Sequence, residues 1–277
     1  MKSMKHKRKE GLLSLLALWV VSFLLISGCA SAPKTADAPS TAPEEFLSRT
    51  EERVLPLYPE AGDESPRMTV GIRVLEAMGP QSQEIHALLY DGLDPTVYTQ
   101  RRIDLYAQQY LAMQSSEVMD PQEQEEQLLE SLNWEFSETW EARFLEPEVW
   151  VISRNLEYYQ GGAHGMTEKR YTVLSLDAQG VQALTLGDLL EADALPGVQA
   201  LITQALRSQA GLEPDVPLTE GGFLTDDPEV PANCFLAPAG LGFHWDPYEI
   251  GPYVMGPVEV LIPYERLQGL LRPRWIP

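Results

Sequence analysis

Cysteine is scarce in this chain, with 2 among 277 residues, Cys29 and Cys234. One disulfide is the most they could form, which excludes a disulfide-stapled scaffold. Histidine is nearly as rare, at 4 residues. The sequence has neither a Cys/His zinc pattern nor a His-Glu-x-x-His arrangement, so no metal is expected. No cofactor fingerprint is present, and we found no internal repeat. Basic charge is also short: 20 Lys and Arg face 41 Asp and Glu, a formal net charge of −21. That balance excludes nucleic acid as a partner, which needs a basic footprint, and disfavours a body lying flat on an anionic membrane. It suits solubility, and it would steer a cationic partner inward.

The charge that is basic is concentrated at the start. Lys2, Lys5, Lys7, Arg8 and Lys9 precede an apolar run over residues 11–26, followed by Ser27-Gly28-Cys29-Ala30. A basic region, an apolar region and a small-residue cleavage site read as a secretory signal. The apolar run is shorter than the roughly 20 residues that span a bilayer. Ile26-Ser27-Gly28-Cys29 resembles a bacterial lipobox, which implies lipidation of Cys29 and cleavage before it. The expected mature chain therefore starts at Cys29, carries a formal charge of −25, and leaves Cys234 without a partner. Residues 31–43 contain no large apolar side chain and read as a flexible tether. The expected segments are a signal peptide over 1–28 and a tether over 29–45. The implied location is the cell envelope, lipid-anchored to a bacterial membrane. Ala30-Ser31 lacks an aspartate retention signal, which leans toward the outer membrane in a diderm.

The body that follows, residues 46–277, is long enough to bury a core. Residues 44–54 suggest a short helix, and 67–78 alternate as a strand ended by Gly79-Pro80. Asp94-Pro95 opens a helix whose stripe is Ile103, Tyr106, Tyr110 and Met113. A second, acidic helix is expected over 121–132. From Asn133 the period becomes two. Trp134, Phe136, Trp140, Ala142 and Phe144 share one side of a strand, interrupted by Glu138. Residues 149–159 run back with Trp150, Ile152, Leu156 and Tyr158 in alternation, interrupted by Arg154. Further strands are expected over 169–176, 234–237, 241–245 and 254–262. Helices are expected over 195–209 and 264–271, and 211–233 should be irregular. Hairpins dominate, so the expected class is α+β: an antiparallel sheet with helices packed on one side, in two sequential sub-domains, 46–165 and 166–277.

Two dense segments stand out. The first is Tyr158-Tyr159-Gln160-Gly161-Gly162-Ala163-His164-Gly165, where glycines permit a tight corner. It lacks the Gly-Lys-Ser/Thr ending of a phosphate loop. His164 either fixes the corner through a hydrogen bond, contributes to binding, or acts as a catalytic or metal group with His244, Asp246 or Glu249. The second segment, His244 to Tyr253, holds Pro247 and Pro252, which keep it out of a central strand and display Tyr248 and Tyr253 on a loop.

Tyr159-x-Gly-Gly-Ala-His-Gly, Leu184-x-Leu-Gly-Asp-Leu, Gly242-Phe-His-Trp-Asp-Pro-Tyr-Glu-Ile-Gly-Pro-Tyr, Gly256 and Ile262-Pro263-Tyr264 together resemble an RsiV-like envelope family. That domain of unknown function forms the extracytoplasmic part of RsiV, an anti-sigma factor and lysozyme receptor, and accompanies the deacetylase domain of PdaC, which acts on peptidoglycan. The resemblance covers about residues 54–271. The sigma-binding segment of RsiV and the metal-binding catalytic domain of PdaC have no counterpart here, so neither signalling nor deacetylation is implied. What the resemblance implies is a non-catalytic binding module for a cell-wall component or a wall-active protein such as lysozyme. Its candidate binding residues are Tyr159, Gly161, Gly162, His164, Gly165, Tyr248, Glu249 and Tyr253. The alternatives are an envelope hydrolase using His164 and Glu249, and a structural or assembly lipoprotein.

Overall fold

The structure is a computed structural model and describes residues 46–112 and 132–276. Cys29, the signal peptide, the tether and nearly all of the helix expected over 121–132 lie outside the described residues. Two sheets organise the rest. The larger has six strands in chain order: β1 (Phe46–Pro56), β2 (Arg67–Ala77), β3 (Trp134–Glu146), β4 (Val149–Tyr159), β5 (Met166–Asp177) and β6 (Gly180–Leu184). All neighbours are antiparallel except β2 and β3, which run parallel. The smaller sheet is β7 (Cys234–Ala237), β8 (Gly240–Trp245) and β9 (Val258–Pro263).

A parallel pair needs a crossover, and the chain makes one through α1 (Ser82–Leu89) and α2 (Pro95–Ala112). Asp94 accepts the Thr96 amide at 2.8 Å and Pro95 takes the first helical position, so the expected N-terminus of α2 is the observed one. Tyr98, Ile103, Tyr106 and Tyr110 turn inward from α2 onto Met68, Val70, Ile72, Phe136, Trp140 and Ile152. Tyr106 stacks on Phe136 with ring centroids 3.9 Å apart. This is the first core, with both helices on one face of the large sheet.

The far end of that sheet is buried on both sides. Trp150, Ile152, Leu174 and Leu176 belong to the first core, while their neighbours Val151 and Val173 belong to a second. The second core is closed by α3 (Leu195–Gln209), which buries Val198, Ile202 and Leu206, and by Leu236, Leu241, Phe243, Val260 and Ile262 of the small sheet. The expected α+β class with helices against a sheet is the observed one. Residue 165 ends the turn after β4 and Met166 opens β5, and the two strands are hydrogen-bonded neighbours in one sheet.

Three expected elements differ. Residues 44–54 were expected to be helical, yet β1 is an edge strand whose helix-facing side carries Arg49 and Arg53 ahead of a single apolar residue, Leu55. Arg49 meets Thr96 (2.7 Å) and Glu76 (3.3 Å), and Arg53 meets Asp104 (3.2 Å), so the alternation is of partners rather than hydropathy. The strand expected from 254 begins at Val258, because Tyr253–Met255 forms a 3₁₀ turn ended by Gly256 at φ +71°. The terminal helix expected over 264–271 is a single 3₁₀ turn, Tyr264–Arg266, capped at Leu267; Gly269 then takes φ +75°, a non-helical angle, and Leu271 bridges to Leu190. Phe144 was placed with Trp134 and Trp140, but a bulge between Ala142 and Phe144 sends it to the second core.

Both pattern breaks noted in the hairpin resolve together. Register sets Glu138 opposite Leu156 and Trp140 opposite Arg154, and Arg154 reaches Glu138 at 2.8 Å. Glu138 is 1% exposed and also accepts hydrogen bonds from Tyr98 (2.5 Å), Trp140 Nε1 (2.9 Å) and Arg102 (3.1 Å). Burial alone would raise its pKa, but the Arg154 hydrogen bond and the charges of Arg154 and Arg102 win and hold it at about 2. Removing one member of such a set is costlier than replacing it whole. Arg154→Met should therefore lower unfolding free energy by about 3–5 kcal/mol in urea titration. The triple change Glu138→Leu, Arg154→Met and Arg102→Met should cost less than Arg154→Met alone.

Candidate functional site

The two dense segments meet. β4 ends at Tyr159, and Gly161 (φ +85°) and Gly162 (φ +96°) take backbone angles that side-chain-bearing residues resist, so the chain reverses into β5 within six residues. Gly165 closes the corner tightly; a β-carbon there would sit 3.1 Å from the Tyr158 carbonyl oxygen. The Tyr159 hydroxyl donates to the Gly162 carbonyl at 3.0 Å. From the other segment, the Tyr253 hydroxyl donates to the Gly165 carbonyl at 2.8 Å. The His164 ring stacks on Tyr253 with centroids 3.6 Å apart and planes 15° apart. Tyr248 completes the group, its hydroxyl 3.4 Å from His164 Nε2 and its ring 5.8 Å from that of Tyr253.

His164 and Tyr248 are exposed and Tyr253 is half-buried. Tyr248 also holds φ +73°, an uncommon angle for a bulky residue, in the turn where the Glu249 amide donates to the Asp246 carbonyl. Beside the rings lies an open depression of about 590 Å³, lined by Glu52, Gly71, Glu135, Ser137, Glu157, Tyr159, Gly165 and Tyr253 among others. Of the expected binding residues, Tyr159, Gly165 and Tyr253 line this depression, while Glu249 lines a different one with Arg170 and Asn233. Glu249 accepts the Asp246 amide at 2.7 Å. The outer-face carboxylates Glu52, Glu135 and Glu157 were not singled out in the sequence. Strand alternation marks them as solvent-facing, but only the register of four strands sets them side by side.

His244 and Asp246, weighed above as partners of His164, pair instead with each other. His244 is buried, with Nε2 2.9 Å from Asp246 Oδ1 and Nδ1 2.8 Å from Glu259 Oε1. Asp246 further accepts the Lys169 amide at 2.8 Å and an Arg170 guanidinium hydrogen bond. Glu259 accepts from Tyr171 (2.9 Å) and Lys169 Nζ (3.3 Å). Asn233 bonds the backbone of Tyr171 (2.9 Å) and Lys169 (2.7 Å). The network therefore fastens β8 and β9 to β5, just below the tyrosine loop. Among the described residues no group of three or more His, Cys, Asp or Glu is placed to hold a metal ion. Cys234 is free and buried, and burial pushes its thiol up to about 12, which makes it a poor nucleophile at neutral pH.

Residues 187–265 match a family model described as a protein of unknown function, DUF3298. The matched stretch holds α3, the small sheet, His244, Asp246, Glu259 and the tyrosine loop; the glycine corner precedes it. No curated protein matches the chain. A solved DUF3298 family member from Bacteroides fragilis aligns with a TM-score of 0.68 at 19% identity, over 82% of this chain and 93% of that one. A DUF3298 family protein from Pseudomonas aeruginosa PAO1 aligns with a TM-score of 0.59 at 19% identity, over 84% of this chain and 96% of that one. At such identity the likeness establishes a shared fold.

Burial lowers the pKa of His244, but the hydrogen bonds its ring donates to Asp246 and Glu259 outweigh it and leave the value raised above 6.5. The same bonds hold Asp246 below its ordinary value and Glu259 at about 2, against burial. A raised histidine stabilises the fold fully below pH 6.5 and loses that contribution as pH rises through its folded value. Depressed carboxylates stabilise above their unfolded values, 3.8 and 4.5, and lose it as pH falls. The network is therefore strongest between about pH 4.5 and 6.5. The thermal midpoint should decline from pH 6 to pH 9. In His244→Gln it should start lower, by the equivalent of about 1–3 kcal/mol, and lack that decline.

Proposed function

We propose that this chain is a lipid-anchored, non-catalytic binding module of the bacterial envelope, holding its ligand at the surface formed by the glycine corner and the tyrosine loop. The observation that carries the reading is the accessible ring group His164, Tyr248 and Tyr253, drawn from segments far apart in sequence, whose Tyr253 lines a 590 Å³ depression. Rigid aromatic side chains supply much contact area at low entropic cost and dominate binding energy where they occur at interfaces. Tyr248 is held outward by a backbone angle that carries a cost, which is reasonable where the exposed ring is used.

The anchoring part rests on Lys2 to Lys9, the apolar run over 11–26 and the lipobox-like Ile26-Ser27-Gly28-Cys29. The RsiV-like resemblance is compatible with the family match over residues 187–265 and supplies the ligand class: a cell-wall component, or a wall-active protein such as lysozyme. His164 and Glu249 engage different partners, Tyr253 and the Asp246 amide, which favours binding over an acid-base pair.

The full chain, extracted in detergent, should bind immobilised lysozyme in a salt-sensitive manner or sediment with purified peptidoglycan. His164→Ala and Tyr248→Ala should each weaken that binding at least tenfold while leaving the circular dichroism unchanged. Binding to neither probe, or equal binding by the variants, would reject the reading. Separately, metabolic labelling with palmitate should mark the wild type and leave Cys29→Ser unlabelled.

A further inference from the structure

Away from the second core, which covers the Val151 end of β4, the outer face of β1 to β4 carries no helix or sheet among the described elements, and its residues run in rows set by strand register. One row reads Glu52, Gly71, Ser137, Glu157 and Thr167 across β1 to β5. At about 4.8 Å per strand, the backbones of Glu52 and Glu157 stand roughly 14 Å apart. Between them Gly71 leaves a gap. A β-carbon built there would have the Glu52 Cγ as its only neighbour within 4 Å, at 3.8 Å, so Glu52 leans over the glycine. The next row brings Thr69, Glu135 and Tyr159 alongside. The gap is thus floored by backbone, flanked by three carboxylates and walled by Tyr159 and Tyr253.

Three features select what fits. First, Glu52, Glu135 and Glu157 make no ion pair or hydrogen bond with another described residue, while the cations of the adjoining row are already engaged. Arg73 holds Glu141 at 2.9 Å, and Lys169 holds Glu259 at 3.3 Å. Second, the hydroxyls of Tyr159 and Tyr253 are spent on Gly162 and Gly165, so these residues offer ring surface, which attracts organic cations. Third, the carboxylates are not gathered into a metal-holding group, so the complementary charge is one that spreads over several hydrogen-bond donors.

We propose that this face is a docking site for a basic polypeptide segment, with an arginine or lysine side chain seated over Gly71 among Glu52, Glu135 and Glu157. The inference deepens the binding-module reading and rests on it, since it gives the partner at the same surface a chemistry: a cationic protein rather than a neutral glycan.

Fluorescence anisotropy of a labelled Gly-Arg-Gly-Arg-Gly peptide with the full chain in detergent tests it, using the neutral citrulline counterpart as control. Binding should saturate for the arginine peptide and be at least tenfold weaker for citrulline. Glu52→Gln with Glu157→Gln should weaken binding at least tenfold. Glu213→Gln with Glu265→Gln, which removes the same charge from exposed positions elsewhere, should leave it unchanged. Gly71→Arg, which puts a guanidinium of the chain itself into an open gap, should abolish binding without loss of thermal stability. Equal weakening by the two glutamine pairs, or full binding by Gly71→Arg, would overturn the proposal. If the peptide arms fail while Tyr248→Ala still impairs binding to lysozyme or peptidoglycan, the cationic seat falls and the module reading stands. If both fail, both fall.

Discussion

Neighbouring residues of β4 and β5 must serve two cores at once. Val151 and Val173 point into one while Ile152 and Leu174 point into the other, so these strands are buried on both faces at one end. That double duty locks the small sheet and α3 against the large sheet and leaves the opposite end of the same strands free. The glycine corner joins β4 to β5 at that free end. Its position is therefore inherited from strands that cannot slide, because a shift of one residue would exchange the two cores' side chains.

The buried polar groups sharpen this arrangement rather than dilute it. Glu138 sits within the first core with two arginines, a tyrosine and a tryptophan around it. His244 sits between two carboxylates at the seam where the small sheet meets β5. Both carboxylate oxygens of Glu138 and of Asp246 are matched by donors, which is the condition under which buried acceptors are tolerated, while the buried Arg154 Nε has no partner. The second network also ends where the tyrosine loop begins: Asp246 closes the network and starts the turn that carries Tyr248. Core order and display of the loop thus share one residue.

Much of the fold is legible in the residues themselves. Trp134, Phe136, Trp140, Trp150 and Ile152 announce the hairpin by period; Asp94-Pro95 announces α2; residues 195–209 announce α3 to the residue. Elements whose inner face is charged are not legible this way, and β1 is the instance, since Arg49 and Arg53 face partners that only the fold brings near. The short C-terminal turns were misread because Gly256 and Gly269 act through backbone angles, which periodicity does not register. The meeting of the corner and the tyrosine loop was legible as two matched compositions. The carboxylates beside it were not, because their nearness is a property of register across four strands.

The bulge at Arg143 has a consequence for how this chain tolerates length change. One extra residue just after Arg143 would move Phe144 from opposite Val151 to opposite Trp150, and so from the second core's side of the strand to the first. The ladder would still close, yet the wall of the second core would lose an aromatic ring and the first would have to admit one. Insertions and deletions are usually absorbed by loops; here a single codon within a strand would act as a parity switch, sorting side chains between two interiors that share one backbone.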